Sequence, residues 1–218
     1  YFAAQKILGI LHLVGAGLLF LAGASENFSS FYPYIFVYML LYMPTLSLVN
    51  AIAFHQMENP SKEFAPIRVL GSLGWIIAGF SIGYFAWESS QVLEYTFYMT
   101  SVASALLGVY SFFLPNTPPK IKPDEKVSLK SILGLDALVL FKDRSYLIFF
   151  IASVLFCIPF AFYYQHANQF LNELGIEAAA SKMIFGQISE VFFLLLLPVF
   201  LNRFGLKKVL VFGVLAWG

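Results

Sequence analysis

Charge is what this chain has least of. Of its 218 residues only 13 are Lys or Arg and 12 are Asp or Glu, 11% together, where a soluble domain carries roughly 25%. A chain of this length can bury a sizeable core, but so few charges cannot build the polar surface around it. A soluble globular domain is therefore excluded, and the apolar side chains must face lipid. Cysteine is scarcer still. Cys157 stands alone inside an apolar run, which excludes a disulfide frame and a cysteine metal cluster. No cluster of His, Asp or Cys of the kind a membrane-embedded enzyme needs is visible, so no catalytic or metal-ligating residue is expected. An initiator Met is also missing, and an apolar run is still under way at Gly218. The chain therefore reads as a fragment of a longer one. The first apolar run lacks the cleavage site and following soluble domain of a signal peptide.

What is present is long and apolar. No Asp, Glu, Lys or Arg occurs between Lys6 and Glu26, Glu26 and Glu58, Arg68 and Glu88, Glu94 and Lys120, or Arg144 and Glu173. A further run between Lys182 and Arg203 is broken only by Glu190, and another follows Lys208. A spanning helix needs about 20 mostly apolar residues. The intervals predict seven spans, near 3–22, 33–55, 66–87, 93–114, 146–171, 183–202 and from 209 onward.

Successive spans alternate the side on which each loop falls. One side receives Lys6, Lys62, Lys120, Lys122, Lys126, Lys130, Lys142, Arg144, Arg203, Lys207 and Lys208; the other receives only Lys182, and Arg68 falls inside a span. Basic residues concentrate on the cytoplasmic side, so the 115–145 connection is expected there and the loops near 23–32, 88–94 and 172–182 outside. That connection opens with Pro115-Asn116-Thr117-Pro118-Pro119, which cannot continue a helix. In its basic remainder Leu129, Ile132, Leu133 and Leu138 lie near one helical face, which suits a short interfacial helix. The expected organisation is thus a bundle over 1–114, a cytoplasmic linker over 115–145 and a second bundle from 146 to 218. A basic linker between bundles suits transporters built of two six-span halves.

A few polar residues inside the spans stand out. Glu190 is the sharpest, because an acidic side chain near mid-bilayer costs about 2.5–3.5 kcal/mol on insertion scales. Such groups line pathways or relay protons; the plainer reading is a protonated carboxyl held for packing. Gln187 lies three residues earlier on the same face. Arg68, Ser72 and Trp75 share a face of the third span, a cation, a hydroxyl and a flat aromatic that could grip a polar aromatic ligand. Position alone allows Arg68 to be a snorkelling side chain at the cytoplasmic edge instead. Pro66 suits a first helical turn. Gly79 and Gly83 form a small-xxx-small pair, read as a packing feature. Tyr164 and Asn168, one turn apart at the external end of the fifth span, fit either a ligand contact or an interfacial belt. His12 reads as a packed histidine. Thr45, Ser47 and Asn50 read as bonding across helices or back to their own backbone.

Several segments together resemble one family. Tyr42-Met43-Pro44-Thr45-Leu46, Pro66-Ile67-Arg68 with Gly71, Leu133-Gly134-Leu135-Asp136-Ala137 with Leu140-Phe141-Lys142, and Gln187-Ile188-Ser189-Glu190 are similar to the nucleoside:proton symporters of the major facilitator superfamily. Arg203-Phe204-Gly205-Leu206-Lys207-Lys208 resembles that superfamily's basic loop between spans eight and nine. The resemblance implies an all-α membrane protein of the two-bundle major-facilitator type, this chain covering about spans 3 to 9 of 12. It implies alternating access in a bacterial inner membrane. The expected partners are a nucleoside and the bilayer, with no nucleic acid; the protein is expected to work as a monomer, with no cofactor beyond the coupling proton. The family's nucleoside-binding face on the fifth overall span falls on Arg68, Ser72 and Trp75, and its Gln and Glu of the eighth span fall on Gln187 and Glu190, Glu190 being the proton-coupling candidate. Family Gln and Asn ligands of the seventh span fall on Ala161 and Tyr164, where Gln165 and Asn168 could compensate. The alternatives are a transporter of another polar solute such as a sugar, or a non-transport receptor or membrane enzyme.

Overall fold

A computed structural model of the chain describes residues 2–118 and 135–217. Helices are its regular elements: α1 (Ala4–Gly23), α2 (Phe28–Gln56), α3 (Pro60–Tyr84), α4 (Glu94–Ser111), a 3₁₀ helix (Leu135–Lys142), α5 (Arg144–Glu173), the single turn α6 (Ala179–Lys182), α7 (Ile184–Phe204) and α8 (Leu206–Trp217). Each of the seven expected spans coincides with one of these helices. Five are long and apolar enough to cross a membrane by length and composition: α1, α2, α3, α5, and α6 with α7 taken as one run. The other two fall short for different reasons. α8 has only 12 residues. α4 has 18, but Glu94 and its Ser, Thr and Tyr residues dilute its apolar character, and its serines face another helix rather than lipid.

The helix ends have local causes. Asn27 caps α2 by accepting from the Ser30 N–H at 3.0 Å, and Asp143 caps α5 by accepting from Ser145 and Tyr146; such caps satisfy otherwise orphaned N–H groups. α3 starts six residues before the expected span, with Pro60 in its first turn, where a missing N–H is harmless. Pro66 is therefore inside the helix rather than in its first turn, and Arg68 lies more than two turns from the helix start. Of the expected interfacial helix, Leu138 belongs to the 3₁₀ helix; Leu129, Ile132 and Leu133 lie outside the described residues.

The chain divides into two compact units, 1–120 with 180–198, and 121–179 with 199–218. In the first, α1 packs against both α2 and α4. The α4 residues buried in this packing are all small, Ser101, Ser104, Gly108 and Ser111, spaced at helical intervals so that they form one stripe. That stripe lets the backbones meet: a Cβ on Gly9 would lie 3.0 Å from the Gly108 carbonyl oxygen, and one on Gly108 would lie 3.1 Å from that of Gly9. Ser101 Oγ donates to the Ala16 carbonyl at 2.7 Å and Ser104 Oγ to that of His12 at 2.9 Å. His12, 8% exposed, is the packed histidine expected, its Nδ1 3.0 Å from Ser104 Oγ. The serine's one hydrogen is already given to the carbonyl, so Nδ1 is the donor of this pair. Thr45 bonds back to the Tyr42 carbonyl. Beyond α4 the chain returns to the start of α1, where Gln5 bonds both Asn116 and the Thr117 N–H. In the second unit the 3₁₀ helix packs on α5, Phe141 meeting Phe150 edge-on at 4.8 Å.

Candidate functional site

Arg68, Ser72 and Trp75 on α3 differ in exposure. Ser72 is 3% exposed and its Oγ donates to Glu190 Oε1 on α7 at 2.9 Å, across 118 residues of sequence. Trp75 is 53% exposed. Arg68 is exposed too, with its Nη1 lying where a Cβ on Gly71 would be only 3.0 Å away. The guanidinium thus lies along its own helix, over the space the glycine leaves. Ser72 is bonded to α7.

Two glycines of α3 make that approach possible. A Cβ on Gly79 would sit 3.0 Å from Ile184 Cγ1, and the space beside Gly83 is taken by the Ser181 side chain. Ser181 Oγ donates to the Gly79 carbonyl at 3.4 Å. The expected packing role of Gly79 and Gly83 is what the structure has: small residues let two helices meet closely inside a membrane. At the far end Glu88 Oε2 accepts from the Ala180 N–H at 3.2 Å. The pairs run antiparallel, 72 with 190, 79 with 184, 83 with 181 and 88 with 180.

Glu190 is half-buried in this seam and Gln187, also half-buried, precedes it by one turn. A carboxylate offers about four acceptor positions, and Ser72 occupies one. Ser72 thus leaves acceptor capacity on the group. An acid so held can take a proton or accept from a hydroxyl or N–H of a ligand.

A family model described as the nucleoside H+ symporter matches residues 1–218. The chain belongs to the nucleoside H+ symporter family. It is 44% identical to YegT of Escherichia coli (strain K12) over 98% of this chain and 51% of that protein. It is 31% identical to the nucleoside permease NupG of the same organism over 100% of the chain and 54% of NupG, and 32% identical to the xanthosine permease over 98% and 54%. The crystal structure of the nucleoside transporter NupG (D323A mutant) matches with a TM-score of 0.75 at 30% identity, covering 96% of this chain and 55% of that one. The chain thus spans about half the length of the curated relatives it matches. The two-bundle transporter fold and the multi-pass membrane class expected from the resemblance are those of this symporter family.

The remaining expected ligands sit on α5, in the second unit. Tyr164 is 45% exposed and packs edge-on against Phe160 at 4.7 Å and Tyr163 at 5.5 Å. Asn168 accepts from Asn172 Nδ2 through its Oδ1 at 3.0 Å and its carbonyl at 3.1 Å, and Gln169 donates to Glu173 at 2.9 Å. Gln165 and Ala161 are exposed. The Asn168–Asn172 and Gln169–Glu173 bonds each join residues one turn apart on α5. A groove of about 1050 Å³ in the same unit is lined by α5 and α8 residues including Phe149, Phe156, Leu210 and Val214. It is apolar and touches none of the expected ligands. Sequence reading passed over Glu88 and Ser181, because each acts on a partner about a hundred residues away. The small-residue stripe of α4 was passed over too, although its spacing carries the signal.

Proposed function

We propose that this chain is the central part of a proton-coupled nucleoside uptake transporter of a bacterial inner membrane. The bond from Ser72 to Glu190 carries the reading, because it joins an acid inside one span to the polar face of another. The family match and the names of the relatives NupG and the xanthosine permease support nucleoside as the substrate class. The whole transporter alternates access between two bundles, the first containing 1–114 and the second beginning near 146, with 115–145 as a cytoplasmic linker. Substrate sits near mid-membrane. Trp75 stacks on the base, Arg68, Ser72, Gln187 and Glu190 bond ribose or base edges, and Tyr164, Gln165 and Asn168 are further substrate contacts. Tyr164 and Ala161 stand where family amides are familiar, so these positions tune which nucleoside is preferred. Proton binding favours one conformational state, as coupling requires, and Glu190 carries that proton. No other cofactor is needed, and the monomer is the working unit.

Uptake by cells expressing the full-length transporter, with competing nucleosides, free bases and sugars, tests this. Nucleosides should compete and sugars should not, and collapsing the proton gradient should abolish accumulation. Competition by sugars alone would move the protein to the alternative substrate class.

A further inference from the structure

α3 and the α6–α7 run touch at separate points from Glu190 to Glu88. Ile184, 4% exposed, is packed against Gly79, Ser181 is bonded to the Gly79 carbonyl, and Glu88 reaches back to the Ala180 N–H. The contact at Glu88 differs from the others. It is made by an acid in a connecting turn, not by side chains that must interlock. The turns involved hold non-glycine residues in the left-handed region, Ala86 at φ 53° and Gln91 at φ 59° around Glu88 and Ala178 at φ 51° before Ala180, an uncommon conformation that costs free energy. The Glu88 turn is thus bent to bring its carboxylate onto the first turn of the run that carries Glu190. There the N–H groups have no intrahelical acceptor, and a negative charge is favoured.

We propose that Glu88 is a latch on the external end of this seam, holding shut the route from outside to Glu190. The inference rests on the transport reading above: a substrate entering by alternating access must part α3 from α7 at this end. The interlocked glycine contacts give the seam its fit, while the Glu88 bond sets how often it opens. Releasing the latch shifts the population toward the outward-open state without touching a residue assigned to substrate.

The test uses the full-length transporter with Cys157→Ser and a single reporter, Ile184→Cys, labelled in intact cells by a membrane-impermeant maleimide. With Glu88 intact the reporter should react slowly. Glu88→Ala should speed labelling about tenfold, which corresponds to about 1.4 kcal/mol of shifted equilibrium. Ala180→Pro removes the same bond from the other side, at a first-turn position where proline is tolerated, and should give a similar increase. The double variant should add little, as expected for two halves of one interaction. Unchanged labelling in both single variants, additive effects, or labelling only in inside-out vesicles would each overturn the latch. The assay needs no nucleoside, so failure of the competition experiment would leave a positive labelling result standing.

Discussion

Two helix seams in the same unit handle buried polarity in opposite ways. Between α1 and α4 every polar side chain is neutral by type or paired at short range. Ser101 and Ser104 give their hydrogens to backbone carbonyls, and His12 shares Ser104. Between α3 and α7 the buried hydroxyl of Ser72 instead meets an acid, Glu190. The first seam is joined through small residues on both helices, Gly9 and Gly108 foremost. In the second, Gly79 and Gly83 of α3 meet Ile184 of α7 and Ser181 of α6. Polarity used for packing is short-ranged and closed on itself. Polarity available for a moving ligand or proton leaves acceptor capacity on a group whose charge can change.

Substitutions that belong to one seam should leave the other's property untouched, and three can be ranked by their effect on stability. Gly108→Leu in the full-length transporter should be the most damaging, because a Cβ there already lies 2.8 Å from Leu13 Cγ and close to backbone. Overpacking of this kind costs about 3 kcal/mol, read as a large fall in melting temperature in detergent. A variant as stable as the parent would show that α1 and α4 do not meet closely. Ser104→Ala should cost about 1 kcal/mol, the usual value of a lost hydrogen bond, with nucleoside affinity unchanged. A change in affinity at constant stability would make the first seam part of the site and erase the contrast. Glu190→Gln, third in rank, should scarcely alter stability.

The two seams were also unequally legible. The spans were readable because lipid demands long charge-free runs, and Glu190 because an acid violates that demand. His12 was correctly read as packed, since the rest of its span is apolar. The start of α3 was misplaced by six residues: the stretch 60–65 is too polar to be counted in a span, yet Pro60 can open a helix there and the helix runs on outside the apolar stretch. The face shared by Arg68, Ser72 and Trp75 was legible as a stripe, but periodicity gives positions and not rotamers, so only the structure shows Arg68 lying over Gly71. Glu88 carried no local signal at all. Its partner, Ala180, contributes only a backbone N–H, and nothing in a side-chain pattern points to that.

Glu190→Gln keeps the size of the side chain and an acceptor oxygen for Ser72, but it cannot bind and release a proton. Equilibrium nucleoside binding, nucleoside exchange and proton-driven uptake should be measured on the same purified full-length variant. Uphill uptake should be lost and exchange should largely survive, with binding weakened by less than about tenfold, or 1.4 kcal/mol. Parental values in all three would contradict this and leave Glu190 as a packing residue like His12.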